Sequence, residues 1–176
     1  MTHRMHRLAL AAIGATVIAS ATAAPQSATA TRVPLSSTDR YFLSDAMSAN
    51  QLEIDASNYA AKQASSDSVR QYAREMVVEH GKIAAEMQKA NDGVVIPPAP
   101  TPQPGPNLEG RTGAEFDRAY LDLMVNYDNA AVGRFKTADG PQHGAPIRDM
   151  ARVVLPMIIQ DNARSKDMRR SLGAKK

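Results

Sequence analysis

The 176-residue chain contains no cysteine and no tryptophan, and aromatic residues make up only 5% of it. Without cysteine there is no disulfide, no thiolate metal site, no cysteine nucleophile and no lipid-modified cysteine. The glycine loops that bind phosphate and the Gly-x-Ser-x-Gly turn of serine hydrolases are missing as well. Strand-like alternation of apolar and polar residues is also absent. These absences argue against nucleotide binding, nucleophilic catalysis and a β-sheet fold.

An excess of one charge is lacking too. The chain has 21 Lys and Arg residues and 18 acidic residues. Without the amino-terminal Arg4 and Arg7, 19 basic residues face the 18 acidic ones. A nucleic-acid-binding protein needs a larger basic excess interleaved with aromatic residues, so no nucleic-acid partner is expected. Six basic residues gather at the carboxyl end: Arg164, Lys166, Arg169, Arg170, Lys175 and Lys176. We expect a solvated last turn there, favoured by the helix dipole, with at most weak contact with anionic surfaces.

The first 24 residues have the pattern of a secretory signal peptide. Arg4 and Arg7 precede an apolar run over residues 8–19, and Ala21-Thr22-Ala23 supplies an A-x-A cleavage site. The run is short for a membrane span, and no other stretch is long and apolar enough to cross a bilayer. We therefore expect cleavage near Ala23/Ala24 and a periplasmic or secreted mature protein without a transmembrane segment.

About 150 residues remain, which is enough for one domain with one core. Residues 25–36 are rich in Ala, Ser, Thr and Pro and predict a flexible leader, followed by the main domain at residues 37–173. Apolar residues that recur at steps of three and four predict helices over residues 37–64, 67–91, 112–137 and 146–172. The inward face of the first is expected to run through Phe42, Ala46, Ala49, Leu52 or Glu53, and Ala56.

Proline is concentrated between the second and third helices, where residues 93–111 include Pro97, Pro98, Pro100, Pro102, Pro104 and Pro106. Such a stretch can form neither a helix nor a central strand, and it is long enough to travel the length of a bundle. The break at Ser65-Ser66-Asp67 is short, so the helices on either side of it form an antiparallel hairpin. The predicted fold class is all-α, a ferritin-like four-helix bundle whose two antiparallel hairpins are joined by a long Pro-rich crossover.

His80 interrupts the apolar face of the second helix, which otherwise contains Val69, Tyr72, Ala73, Met76, Val77, Ile83, Ala84 and Met87. A buried imidazole needs a polar partner. Each of the other helices places one carboxylate on or beside its own inward face, namely Glu53, Asp128 and Asp161. With a rise of about 1.5 Å per residue, Glu53 and His80 differ in height by only about 2 Å, and both aspartates lie near mid-helix. The sequence predicts that these four side chains meet in the middle of the bundle.

Three interpretations of this cluster stay open. In the first, His80 hydrogen-bonds to Glu53, Tyr127 or an aspartate, and the buried network fixes helix register in an envelope or stress-related interaction module. In the second, the imidazole and carboxylates bind one divalent ion such as zinc, manganese or iron. In the third, Met76 and Met87 join the histidine in a Cu(I) pocket, although methionine at helical spacing usually fills a core.

Di-iron chemistry requires residues that this chain lacks. Such bundles carry Glu-x-x-His on two helices, whereas Val77 lies three residues before His80 and Arg164 lies three residues after Asp161. The other histidine of the mature chain, His143, lies in a Gly/Pro loop without a serine elbow. No catalytic residue is predicted, and the expected role is non-enzymatic, with an oxidoreductase as the weakest hypothesis.

Four patterns occur in order along the chain: Phe42-x(3)-Ala46 with Glu53 and Ala60, Tyr72-Ala73-x(2)-Met76-Val77-x(2)-His80, Phe116-Asp117-x-Ala119-Tyr120, and Leu155-Pro156. Through them the chain resembles a family of ferritin-like exported bacterial proteins with a domain of unknown function, often described as predicted outer-membrane proteins. The resemblance covers most of residues 38–172. It implies a four-helix bundle outside the cytoplasm, and it implies no particular activity.

This chain differs from the pattern of that family at two positions. The resemblance implies histidines at the places that Asp128 and Asp161 hold here. Two nitrogen donors are thus replaced by carboxylates, which adds negative charge. A centre of this composition either prefers a harder ion or serves only as a hydrogen-bond network.

Overall fold

The computed structural model describes residues 34–91 and 105–174. Four helices form most of this part: α1 (Ser37–Gln63), α2 (Asp67–Ala90), α3 (Gly113–Ala138) and α4 (Ala145–Ala174). No strand occurs within these two ranges, and the predicted all-α class with four helices is confirmed. The predicted signal peptide, most of the leader and residues 92–104 of the Pro-rich stretch lie outside the described residues, so these three assignments stay predictions.

The helices pack as two hairpins. α1 packs on α2 and α3 on α4, and the hairpins meet where α2 contacts α4 and α1 contacts α3. One apolar cluster joins the beginnings of α1 and α4 to the ends of α2 and α3. The chain therefore leaves α2 at one end of the bundle and enters α3 at the other. This arrangement confirms a four-helix bundle, while ferritin-like connectivity through a crossover stays a prediction.

The turn between α1 and α2 is attached to the third helix by a buried carboxylate. Asp117, which is 1% exposed, accepts hydrogen bonds from the Ser65 and Ser66 N–H groups at 2.8 Å and from the Ser65 hydroxyl at 2.7 Å. These N–H groups lie immediately before α2, where the backbone donors have no partner within a helix. Asp117 thus caps one hairpin with a side chain from the other.

A second buried pair joins the α3–α4 loop to the beginning of α1. His143 Nδ1 lies 2.8 Å from Asp39 Oδ1, and the Gly144 N–H donates to the same carboxylate at 3.2 and 3.3 Å. Burial acts to raise the pKa of Asp39, but hydrogen bonds from His143, Ser36 and Gly144 outweigh it and hold that pKa below its ordinary value. His143 lies in the loop before α4, as predicted, and it is buried, with 7% of its surface exposed.

The apolar core consists of two clusters with polar side chains between them. The first includes Phe42, Phe135 and Ile147, and the second includes Tyr72 and Phe116. Along all four helices, the positions between the two clusters are held by buried polar residues. We call this set the polar layer, and its members are Asn50, Glu53, His80, Asp128, Asp161, Asn162 and Ser165.

The basic carboxyl end is partly neutralised by neighbouring acids. Arg164, Arg169 and Arg170 form ion pairs with Glu75, Asp122 and Asp167, respectively. The Arg164 guanidinium also lies 5.4 Å from the centre of the Tyr72 ring, within cation–π range. Among the described helices none has the length and hydrophobicity to span a bilayer. Contact of this end with an anionic surface stays a prediction.

Candidate metal centre

The polar layer contains all four predicted site residues, one from each helix. Glu53, His80, Asp128 and Asp161 are 3%, 2%, 0% and 5% exposed, respectively. One ligand atom each of Glu53, His80 and Asp128 lie within 4.8 Å of one another. Asp161 is buried in the same layer but is not part of this group of three. The structure therefore brings three of the four candidates to within reach of one ion, and the metal-binding role itself stays a prediction.

The partner of His80 is an asparagine that the sequence analysis did not select. Asn50 donates from Nδ2 to the main-chain carbonyl of His80 at 3.0 Å, and its Oδ1 lies 2.9 Å from His80 Nδ1. Because the amide nitrogen is used on the carbonyl, the amide oxygen faces the ring and His80 Nδ1 must be the donor. This two-point contact fixes both the ring orientation and the tautomer of a neutral imidazole.

In that tautomer, His80 Nε2 carries a lone pair and points at a carboxylate. Its distance to Glu53 Oε2 is 3.3 Å. Two acceptors that face each other in a dry core need either a shared proton or a cation between them. Two ligand atoms bound to one tetrahedral ion at about 2.0–2.1 Å would lie about 3.3 Å apart, whereas most N–H···O hydrogen bonds are about 2.7–3.2 Å long.

The layer also contains a concentration of buried polar atoms without a hydrogen-bond partner. They are Glu53 Oε2, His80 Nε2, both Asp128 carboxylate oxygens, Asp161 Oδ2 and the Tyr72 hydroxyl. Buried polar groups are otherwise paired almost without exception, because an unpaired one costs about 1–3 kcal/mol. Five of these six atoms belong to the four candidate ligands.

The electrostatics of the layer oppose a full set of negative charges. Burial raises the pKa of Glu53 well above its ordinary value, and the nearby Asp128 and Asp161 add to the effect. Burial likewise raises the pKa of Asp128 to about 7 and that of Asp161 to about 6. Burial lowers the pKa of His80 to about 4, so its ring is neutral at pH 7. Without a cation, the raised pKa values keep protons on these acids to a higher pH than on exposed carboxylates.

A small cavity adjoins two of the four candidate ligands, Glu53 and His80, and neither Asp128 nor Asp161 lines it. It has a volume of about 10 Å³, and its lining includes Asn50, Glu53, His80 and Met87. That volume is near the minimum for one water-sized guest. One imidazole nitrogen with several carboxylate oxygens is a donor set suited to zinc, manganese or iron.

The Cu(I) interpretation finds less support in the packing. Met76 belongs to the apolar cluster on one side of the polar layer and Met87 to the cluster on the other side. Met87 lines the small cavity and Met76 does not. The thioethers therefore do not form a joint Met/His pocket around this cavity, and both methionines are explained as core residues.

The sequence did not single out Asn50, because the inward direction of the first helix was predicted only approximately. Leu52 and Glu53 were alternatives for that face, and the structure buries Glu53 while Leu52 is 40% exposed and Ala49 is only partly buried. Leu43, Met47 and Asn50 are buried instead. The available signal was the spacing of three residues between Asn50 and Glu53, which places two polar side chains on one helical face.

Comparison with known proteins gives a family without an assigned activity. A family model described as "Domain of unknown function (DUF4142)" matches residues 24–168, a range that contains the whole polar layer. No curated protein and no solved structure matches the chain. Any functional conclusion therefore depends on the chemistry of the layer.

Proposed function

We propose that this chain, which belongs to the DUF4142 family, is an exported ferritin-like helical bundle that binds one divalent transition metal ion in its polar layer. Glu53, His80 and Asp128 are the proposed direct ligands. Asp161 is the proposed fourth, acting directly after a change of rotamer or through a water molecule. Zinc, manganese and iron are the ions that this donor set suits. The proposed role is binding, because the sequence has no nucleophile motif and no Glu-x-x-His pair.

The observation that carries the proposal is the set of unpaired atoms. The four side chains leave five buried nitrogen and oxygen atoms without partners, and three of these side chains converge within 4.8 Å. An ion would satisfy several of these atoms at once and would offset the negative charge that burial otherwise disfavours.

The alternative is a protonated hydrogen-bond network with no ion. In it, a proton on Glu53 Oε2 would be shared with His80 Nε2 across 3.3 Å. That proton satisfies one contact and leaves the Asp128 carboxylate with only the Ser165 hydroxyl beside it, a hydroxyl that itself donates to the Asn162 carbonyl at 3.0 Å. We favour the metal for this reason.

Export is part of the proposal, and it is supported by the amino-terminal pattern of Arg4, Arg7, the apolar run and Ala21-Thr22-Ala23. The family match begins at residue 24, next to the proposed cleavage site. Mass measurement of the protein recovered from the periplasm or medium tests this, since cleavage there removes the first 23 or 24 residues.

The metal proposal is tested by replacing two of the proposed ligands with glutamine, a neutral polar residue. We expect purified wild-type protein, equilibrated with Zn²⁺, Mn²⁺ or Fe²⁺, to hold about one equivalent of at least one ion by elemental analysis. Glu53→Gln and His80→Gln should weaken binding by about 100-fold or more in calorimetry, because each removes a ligand and leaves its neighbours unpaired.

Two control variants make comparable changes, from an acid to its amide and from histidine to glutamine, at residues outside the polar layer. Asp55→Asn changes a buried acid on the same helix as Glu53. Asp55 accepts a hydrogen bond from the Gln51 amide at 2.8 Å. His143→Gln changes the histidine that pairs with Asp39. Both should bind as wild type does. A wild type that binds none of the three ions, or a His80→Gln variant with unchanged affinity, would contradict the proposal.

A further inference from the structure

A surface groove lies beside the polar layer, between α1 and α3. Its volume is about 350 Å³. The groove is lined by Asp45, Ser48, Ala49, Leu52, Glu53, Tyr127, Ala130 and Arg134. Two other surface grooves, one along α3 near Pro106 and one along α2 near Val78, share no residue with the layer. Glu53 makes the α1–α3 groove different from these two.

Glu53 also lines the small inner cavity that contains His80 in its wall. Ala49 and Arg134 line both spaces as well. The groove and the cavity thus meet at a single carboxylate, which is only 3% exposed. A metal route through this point requires that Glu53, a side chain with three rotatable bonds, turn its carboxylate from one space towards the other.

The mouth of the groove is formed by an ion pair and by small side chains. Arg134 Nε donates to Asp45 Oδ2 at 2.8 Å, and the two side chains are 25% and 51% exposed. Pairing with Asp45 reduces the repulsion that a free guanidinium would exert on an approaching cation. Ala49 and Ala130 occupy little volume where α1 and α3 face each other across the groove.

We propose that the α1–α3 groove is the route by which the metal ion enters and leaves the polar layer, with Glu53 as the first ligand to bind it. This inference rests on the proposed function. It assigns Ala130 the role of leaving the route open and Asp45 that of compensating Arg134. Neither residue contacts the inner cavity or belongs to the ligand set.

The test narrows the route without touching a ligand. Ala130→Leu places a larger side chain in the groove at an exposed helical position, where leucine is well tolerated. We expect rates of Co²⁺ uptake and release, followed by visible absorption in stopped-flow experiments, to fall by the same factor of about ten, because entry then requires a local displacement. The dissociation constant should not change. Ala85→Leu, an equivalent change at an exposed position of α2, is the matched control and should leave both rates as in wild type.

A charge variant tests the same route independently. Asp45→Asn leaves Arg134 uncompensated and should slow Co²⁺ uptake several-fold at low ionic strength, with the effect disappearing in high salt. Asp167→Asn, which removes an exposed acid that pairs with Arg170, is its control and should have no effect on uptake.

The outcomes separate the route from the site. If wild type binds Co²⁺ but Ala130→Leu changes neither rate, the ion enters elsewhere and the route is wrong while the metal centre stands. If Ala130→Leu changes only the release rate, the substitution disturbs the ligands, which also counts against the route. If wild type binds no ion at all, the proposed function falls and the route falls with it.

Discussion

At the residue scale, the properties of the centre depend on one amide. His80 can offer a lone pair to an ion only if its other ring nitrogen keeps the proton, and the contact with Asn50 Oδ1 at 2.9 Å provides that condition. The second contact, from Asn50 Nδ2 to the His80 carbonyl at 3.0 Å, prevents the amide from reversing its orientation. Asn50 therefore holds His80 in the orientation and tautomer that the proposed metal site requires.

Replacement of this amide should weaken metal binding without removing a ligand. We expect Asn50→Ala to reduce ion affinity by about 10- to 100-fold, the usual effect of losing the partner that orients a ligating histidine. In metal-free protein, nitrogen-15 NMR of the His80 ring should show a single Nδ1–H tautomer in wild type and a mixture in the variant.

The control for this prediction is Gln51→Ala, which removes the neighbouring amide and its contact with Asp55 at 2.8 Å. It should change neither the tautomer nor the affinity. An Nε2–H tautomer in wild type would show that the proposed orientation of Asn50 is wrong, whatever the outcome of the metal measurements.

Part of the centre was predictable from single positions in the sequence. His80, Glu53 and Asp128 were found because a polar residue on an apolar helical face is conspicuous at a period of 3.6 residues. Asn50 was not, because the alanine-rich α1 contains small residues on several faces, so that its inward direction is poorly determined. The pair of Asp39 and His143 was missed because its members lie 104 residues apart and one belongs to a loop.

At the scale of elements, the hairpins are held in register by capping contacts between helices. Asp117 in α3 receives three hydrogen bonds from Ser65 and Ser66, which precede α2. Such a contact fixes the height of one hairpin relative to the other. Because the four ligand candidates come from both hairpins, their convergence depends on this register.

Loss of the Asp117 carboxylate should therefore destabilise the bundle strongly. We expect Asp117→Ala to lower the free energy of unfolding by about 2–3 kcal/mol in urea titrations, since it leaves two backbone N–H groups without their charged acceptor. Asp122→Ala, which removes an exposed partner of Arg169 in the same helix, should cost less than about 1 kcal/mol. Equal costs for the two variants would contradict the assigned role of Asp117.

Helix limits were predicted more accurately than contacts between helices, for a physical reason. The limits depend on local signals, such as Ser36 accepting the Asp39 N–H at 3.0 Å at the beginning of α1. The cap lies one residue before the predicted start of the first helix at residue 37, and α4 continues through Pro156, within the predicted range of residues 146–172. Contacts such as that of Asp117 depend on residues distant in sequence, which periodicity cannot pair.

At the scale of the whole molecule, the polar layer separates two apolar clusters that could otherwise form one core. Every helix crosses this layer, so the ionisation of its acids affects the stability of the complete bundle. Asp128 and Asp161 have pKa values of about 7 and 6 in the folded protein, against an ordinary value of 3.8. The folded state therefore binds more protons than the unfolded state at these two acids over much of the range from pH 4 to pH 7.

This difference predicts an unusual pH dependence for metal-free protein. An acid with a raised folded pKa makes the protein less stable as pH rises, so the free energy of unfolding should fall between about pH 5 and 7, by on the order of 1 kcal/mol per pH unit. His80 acts in the opposite direction, because its lowered pKa favours folding as pH rises towards 6.5, but the acids outnumber it.

Urea titrations of chelator-treated protein at several pH values measure this dependence. The double variant Asp128→Asn with Asp161→Asn should show a flatter profile, and Asp55→Asn should keep the wild-type profile. Addition of an ion that the protein binds should raise the free energy of unfolding at pH 7, by about 2.7 kcal/mol when the free ion concentration is a hundred times the dissociation constant. A metal-free stability that rises steadily from pH 5 to 7 would exclude the raised pKa values.

The division of the core into two clusters has an evolutionary consequence. Aliphatic side chains at residues 53, 80, 128 and 161 would join the clusters and relieve the cost of burying acids, and replacement of buried charges in this way is often neutral or stabilising. Selection for stability alone would therefore favour replacement of the polar layer by aliphatic residues. If the layer binds an ion, as proposed, related sequences that have lost this function should accumulate leucine and isoleucine at these four residues first, whereas sequences that retain it should keep the acids at a cost in stability.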